Sequence, residues 1–159
     1  MKNIYEELLK KECSKWLELD QEPYDFKRWL RKRGWRDINP KMGRGIWKFV
    51  LSKDNVVIKF DEEISSNSHT RSEYLSWIHS SKPRRKYICP TLLYFKGLLF
   101  QPLLENVCDN VDIVPDKVHR TARKYKFSHY WNYGYLHGKL KFYDTDSLYY
   151  VLTDNEERK

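Results

Sequence analysis

The stretch Phe127-Ser128-His129-Tyr130-Trp131-Asn132-Tyr133-Gly134-Tyr135-Leu136-His137-Gly138-Lys139-Leu140-Lys141-Phe142-Tyr143-Asp144 decides the fold of this 159-residue chain. Two short apolar and aromatic runs, Tyr133–Leu136 and Leu140–Tyr143, flank a His137-Gly138 turn suited to a β-hairpin. Asn132 stands directly before this ribbon and Asp144 directly after it, so an amide and a carboxylate bracket the hairpin.

Working outward, residues 111–128 place Val111, Val114, Val118, Ala122 and Tyr125 on one stripe and predict a helix. Leu92–Phe95 and Leu98–Gln101 flank Lys96-Gly97 and predict a second hairpin. Residues 67–80 suit a helix with Tyr74, Trp77 and Ile78 on one side. Ile46–Leu51 and Val56–Phe60 are β-rich runs joined by Ser52-Lys53-Asp54-Asn55, another hairpin. Toward the N-terminus, residues 24–33 predict a short helix stopped by Gly34, and residues 2–19 a longer one. The order is helices, hairpin, helix, hairpin, helix, hairpin, which is an α+β plan with a mainly antiparallel sheet. Residues 1–36 read as a helical N-terminal extension and 37–159 as the main domain, the two expected to form one compact unit.

Chemistry-bearing residues fall at the joints of this plan. Gly43-Arg44-Gly45 opens the first strand, Lys59 closes Val56-Val57-Ile58-Lys59, and Glu73 lies on the next helix, within reach of Lys59. Gln101 begins the segment Gln101-Pro102-Leu103-Leu104-Glu105 after the second hairpin. A glycine loop lets backbone approach phosphates, a strand lysine held by a glutamate neutralises them, and an amide with a carboxylate can hold a metal ion. With His129, Asn132, Gly134, Gly138 and Asp144, the terminal stretch resembles the catalytic segment of small phage-encoded kinase-like and aminoglycoside-phosphotransferase-like proteins. The resemblance spans roughly residues 40–148 and implies a minimal protein kinase-like fold with a reduced helical lobe. It further implies ATP and Mg as cofactors, with Gly43, Gly45, Lys59, Glu73, Gln101, Asn132 and Asp144 around the nucleotide. Asn132 and Asp144 would be the metal ligands.

The departures from that family matter as much. Where it places the catalytic-base aspartate, five residues before the asparagine, this chain has Phe127, which accepts no proton. The glycine loop lacks its third glycine, and Thr145-Asp146 follows Asp144. Fifteen residues follow Asp144, so a full acceptor-binding helical lobe is not expected. A substitute base would have to be His129 or Asp146. Each residue also has a plainer reading. Strand alternation allows Lys59 to face solvent, Glu73 to be an exposed helix charge, Asn132 a turn former, and Asp144 with Asp146 a cap.

Composition sets the outer bounds. Forty per cent hydrophobic and 16% aromatic content argue for a packed core, and a net charge of +8 argues for an acidic partner. Lys27, Arg28, Arg31, Lys32, Arg33 and Arg36 put six cations in ten residues around Trp29 and Trp35, and residues 82–86 add a second cluster. These surfaces suit an acidic protein or a nucleic acid, although Phe26, Trp29 and Leu30 also suit one buried face of an amphipathic helix. Cys13, Cys89 and Cys108 are too few and too scattered for a disulfide framework or a zinc site. No apolar run is long enough to span a membrane, and acidic residues stand where a signal peptide needs an apolar stretch. The expectation is a cytoplasmic chain, within the host cell if phage-encoded. It would act as a pseudokinase-like binding module for a host or partner protein. The alternatives are a divergent active kinase and a basic nucleic-acid-binding protein.

Overall fold

A computed structural model of the chain describes residue 11 and residues 23–38, 48–61, 69–95, 97–108 and 110–145. The helix expected over 2–19 lies outside the described residues apart from residue 11, as do Gly43, Gly45 and Asp146. The described part is mixed α+β with mainly antiparallel pairing.

Helix α1 (Pro23–Lys32) starts on a proline, whose missing N–H would be unpaired there anyway, and gives way to Gly34 at φ 90°. Strands β1 (Arg36–Asp37), β2 (Lys48–Lys53), β3 (Val56–Asp61), β4 (Leu93–Phe95) and β5 (Leu98–Pro102) form one sheet in the order β1-β2-β3-β5-β4, every pairing antiparallel. Asp54 and Asn55 both take positive φ between β2 and β3, the conformation a two-residue hairpin turn requires and that Asp and Asn tolerate. Alternation along β3 and β5 then splits their side chains. Ile58, Phe60, Leu98 and Phe100 pack with Leu51 against Phe26, Leu30 and Trp35, so α1 covers one face of the sheet. Val57, Lys59 and Gln101 line a cleft on the other. Helix α2 (His69–His79) packs beside β3 and β5, and Thr70 Oγ1 donates to the Gly97 carbonyl at 2.7 Å.

Two residues, Leu103 and Leu104, carry the chain from the first sheet to a second one. There β6 (Glu105–Cys108), β7 (Tyr133–Leu136) and β8 (Lys139–Phe142) lie in the order β6-β7-β8. The β7–β8 turn is His137-Gly138, both at positive φ. A short helix α3 (Lys82–Arg85) follows α2. Helix α4 (Asp116–Lys124) packs on the second sheet through Val118 and Ala122, in a core with Ile88, Cys108, Phe127, Tyr133 and Phe142. The segment after α3 ties the two sheets together. The Cys89 backbone N–H donates to the Phe142 carbonyl at 2.8 Å, and the Phe142 N–H donates to the Tyr87 carbonyl at 2.6 Å.

Two sequence expectations need correction, and one strand is additional to them. The helix expected over 111–128 is a single 3-10 turn (Val111–Ile113) followed by α4. Pro115 forces extended backbone on itself and on Val114, and Lys126 at φ 58° ends the helix short of 128. Val111 is consequently exposed, while Val118 and Ala122 keep the inner stripe. The basic cluster 82–86 is divided: α3 buries Arg84, and Arg85 donates to the carbonyls of Trp77, Ile78 and Ser80, while Lys82 and Lys86 are exposed. Strand β6 was not anticipated. It is only four residues long, and Asn106 at φ 49° bulges it, so it carries no clean alternation. No helix among the described residues is long and apolar enough to cross a membrane.

Candidate functional site

The cleft lies where the chain passes between the sheets. Val50 and Val57 line it from β2 and β3, Leu103 and Leu104 from the crossing, and Tyr143 from the end of β8, leaving Lys59 and Asp144 as its charged end. Its enclosed volume is about 70 Å³, smaller than most small-molecule sites, and it opens to solvent.

Lys59 does not face solvent. It is 4% exposed, and its ammonium donates to Glu73 Oε1 and to Asp144 Oδ1, each at 3.0 Å. Glu73 is 1% exposed rather than a surface charge. The same Glu73 oxygen accepts from Gln101 Nε2 at 3.1 Å and from the Asp144 backbone N–H at 3.1 Å. Four predicted residues from β3, α2, β5 and the β8 exit therefore meet around one carboxylate. Burial alone would lower the Lys59 pKa, but the charge of Asp144, followed by that of Glu73, outweighs it and holds the ammonium well above its ordinary range. Asp144 takes φ 53°, an uncommon left-handed conformation for a non-glycine residue, fixed at both ends by these two contacts.

Asn132 is tied to the same place through its backbone. Its carbonyl accepts from the Tyr143 N–H at 3.0 Å, one residue before Asp144, and its own N–H donates to the His129 carbonyl at 2.9 Å. No three His, Cys, Asp or Glu side chains converge as a metal cage among the described residues.

At the position of the expected base, Phe127 is a core residue. Its ring stacks on Phe142 at 4.4 Å, and the Arg84 guanidinium lies 4.4 Å over it. Arg84 is held by the hydroxyls of Ser76 and Ser80 and by the Tyr125 carbonyl. His129 is exposed and shares a small depression with Phe127, Asp144 and Thr145.

Cys89 also lines the cleft, a position the sequence did not flag. Burial chiefly pushes its thiol up to about 12, so it is a neutral wall and not a nucleophile. Val57 was legible in retrospect, being two residues before Lys59 and hence on the same strand face. Tyr143 was not, because its hydroxyl reaches the Cys108 carbonyl across the sheet at 3.0 Å.

The predicted partner surface on α1 is partly neutralised within the fold. Lys27 and Arg31 both pair with Asp37, Arg28 pairs with Asp25, and the Arg33 guanidinium lies 3.7 Å over the Trp29 ring. Lys32 and Arg36 are exposed. Compared with protein-family models, curated proteins and solved structures, the chain matches none.

Proposed function

We propose that this cleft is a kinase-like nucleotide pocket kept without phosphotransfer, and that the chain is a pseudokinase-like module which binds a partner protein. The observation that carries this reading is the buried Lys59 shared by Glu73 and Asp144 at the polar end of an apolar cleft. Burying the charges of Lys59 and Glu73 is costly unless something needs them, and a lysine held by a helix glutamate is the arrangement that resembles phosphate recognition in kinases.

In this reading Val50, Val57 and Leu104 contact the base, and Lys59 faces the phosphates. Asp144 and Asn132 hold the metal ion, which when bound would neutralise phosphate charge. Phe127 leaves no group to accept a hydroxyl proton, so bound nucleotide orders the two sheets instead of reacting. Such a module suits a phage-encoded protein that redirects a host partner in the host cytoplasm. The runner-up, an active kinase using His129 or Asp146 as base, draws on the depression that His129 shares with Asp144.

Equilibrium dialysis with labelled ATP and Mg, followed by phosphate-release analysis of the same sample, separates these readings. Retention without release is expected, with retention lost in Asp144→Asn. Release that is lost in Asp144→Asn would establish the active kinase. Absence of retention at millimolar nucleotide would rule the nucleotide pocket out.

A further inference from the structure

The positive charge of this chain is distributed unequally between elements once the fold is formed. The cations of α1 and α3 largely meet Asp25, Asp37, Trp29 or backbone carbonyls. Those of α4 do not. Residues 116–132 contain five cations against the single carboxylate of Asp116. At 3.6 residues per turn, buried Val118 and Ala122 mark the inner face of α4, which leaves Lys117, Arg120, Arg123 and Lys124 across its outer half. All four are exposed, and among the described residues none makes an ion pair. Lys124 has a ring for company, its ammonium lying 5.4 Å from the centre of Tyr125.

A run of rings borders this helix. His119 meets Tyr130 at a tilt, with ring centres 4.2 Å apart, Tyr130 meets Trp131 edge-on at 5.0 Å, and His129 lies 5.2 Å from Trp131. Tyr130 and Trp131 are half-buried and His129 is exposed, in a loop that the His119–Tyr130 contact joins to α4. An acidic protein would satisfy the cations but leaves these rings without a role. A duplex offers phosphates but keeps its bases stacked inside. Cations that track a backbone beside rings that stack unpaired bases are the two components of single-strand recognition.

We infer that α4 and the loop 127–132 form a binding surface for single-stranded nucleic acid, with phosphates along Lys117, Arg120, Arg123 and Lys124 and bases against Trp131 and His129. This does not rest on the nucleotide reading, since no α4 residue lines the cleft.

The test is fluorescence anisotropy of labelled oligo-dT and oligo-U, each about 12 nucleotides long, titrated with the full chain at about 50 mM salt. Saturable binding is expected, with a log–log salt slope of about −2, the value for about three phosphates on a single strand. Arg120→Glu with Arg123→Glu lowers affinity at least about tenfold, and Lys27→Glu with Arg28→Glu changes it by no more than about twofold. Trp131→Ala lowers affinity about fivefold or more, the smaller end of the loss for one stacked base. His129→Ala, at an exposed position, gives a second stacking test should Trp131→Ala melt early. A preference for oligo-U or for oligo-dT identifies the strand as RNA or DNA, and either supports the inference. No binding at about 50 mM salt, or indifference to the α4 charge reversal, overturns it. Equal displacement by polyglutamate of matching charge also overturns it, in favour of an acidic protein.

Discussion

Lys59 shows how burial converts a common residue into a committed one. An ammonium at 4% exposure is stable only because Asp144 and Glu73 each lie 3.0 Å away. Lys59→Met should therefore cost about 3–5 kcal/mol in chemical denaturation, because it strands two carboxylates. Glu73→Gln should cost less, since the amide oxygen still accepts from Gln101 and from Asp144. Cys89 gives a signed pH dependence. Its folded pKa is raised to about 12 against an unfolded value of about 8.5. The stability it confers is complete below about pH 8.5 and declines above it by at most about 1.4 kcal/mol per pH unit, because the unfolded thiol ionises first. Melting curves of wild type and Cys89→Ala should diverge least in alkali, and the native thiol should resist alkylation at neutral pH. The sequence was informative about Lys59, Glu73, Gln101 and Asp144, since each sits at a joint between elements. It was silent on which way Lys59 points. Alternation permits either face, and only the position of α1 over the opposite side of the sheet decides it.

Among the elements, the hairpins were legible because their turns require particular residues. Asp54-Asn55 and His137-Gly138 take positive φ as the turn chemistry demands. Helix α4 was misjudged in extent because its apolar stripe continues through Pro115, and periodicity does not register a lost N–H. Strand β6 stayed hidden because its pairing depends on a neighbour. A Cβ on Gly134 of β7 would stand 2.8 Å from Leu104 Cβ and 3.1 Å from the Glu105 carbonyl. Gly134→Ala should then destabilise by about 1–3 kcal/mol through overpacking at the crossing between sheets. At Gly138 a Cβ would meet nothing within 4 Å, so the constraint is its φ of 75° and not space, and Gly138→Asn should be far milder. Urea midpoints of the two variants check the contrast.

For the whole molecule, the proposal is that two sheets joined by Leu103-Leu104 enclose a nucleotide cleft whose polar end is Lys59, Glu73 and Asp144. The α+β class and the antiparallel pairing were readable from the order of hairpins and helices. The closure of the cleft was not, because it depends on Tyr87, Cys89 and Phe142 exchanging backbone bonds between segments distant in sequence. The melting temperature of the full chain with and without saturating Mg-ATP, for wild type and Asp144→Asn, probes this cleft without assuming any reaction. A ligand at about 100 times its Kd adds about 2.7 kcal/mol to the folded state, and a chain of this size gains about 2–4 °C per kcal/mol. An upward shift of several degrees is expected for the wild type, and its loss in a folded Asp144→Asn variant. An unchanged wild-type melting temperature at saturating nucleotide, or an equal shift in both proteins, would contradict a nucleotide cleft built on Asp144.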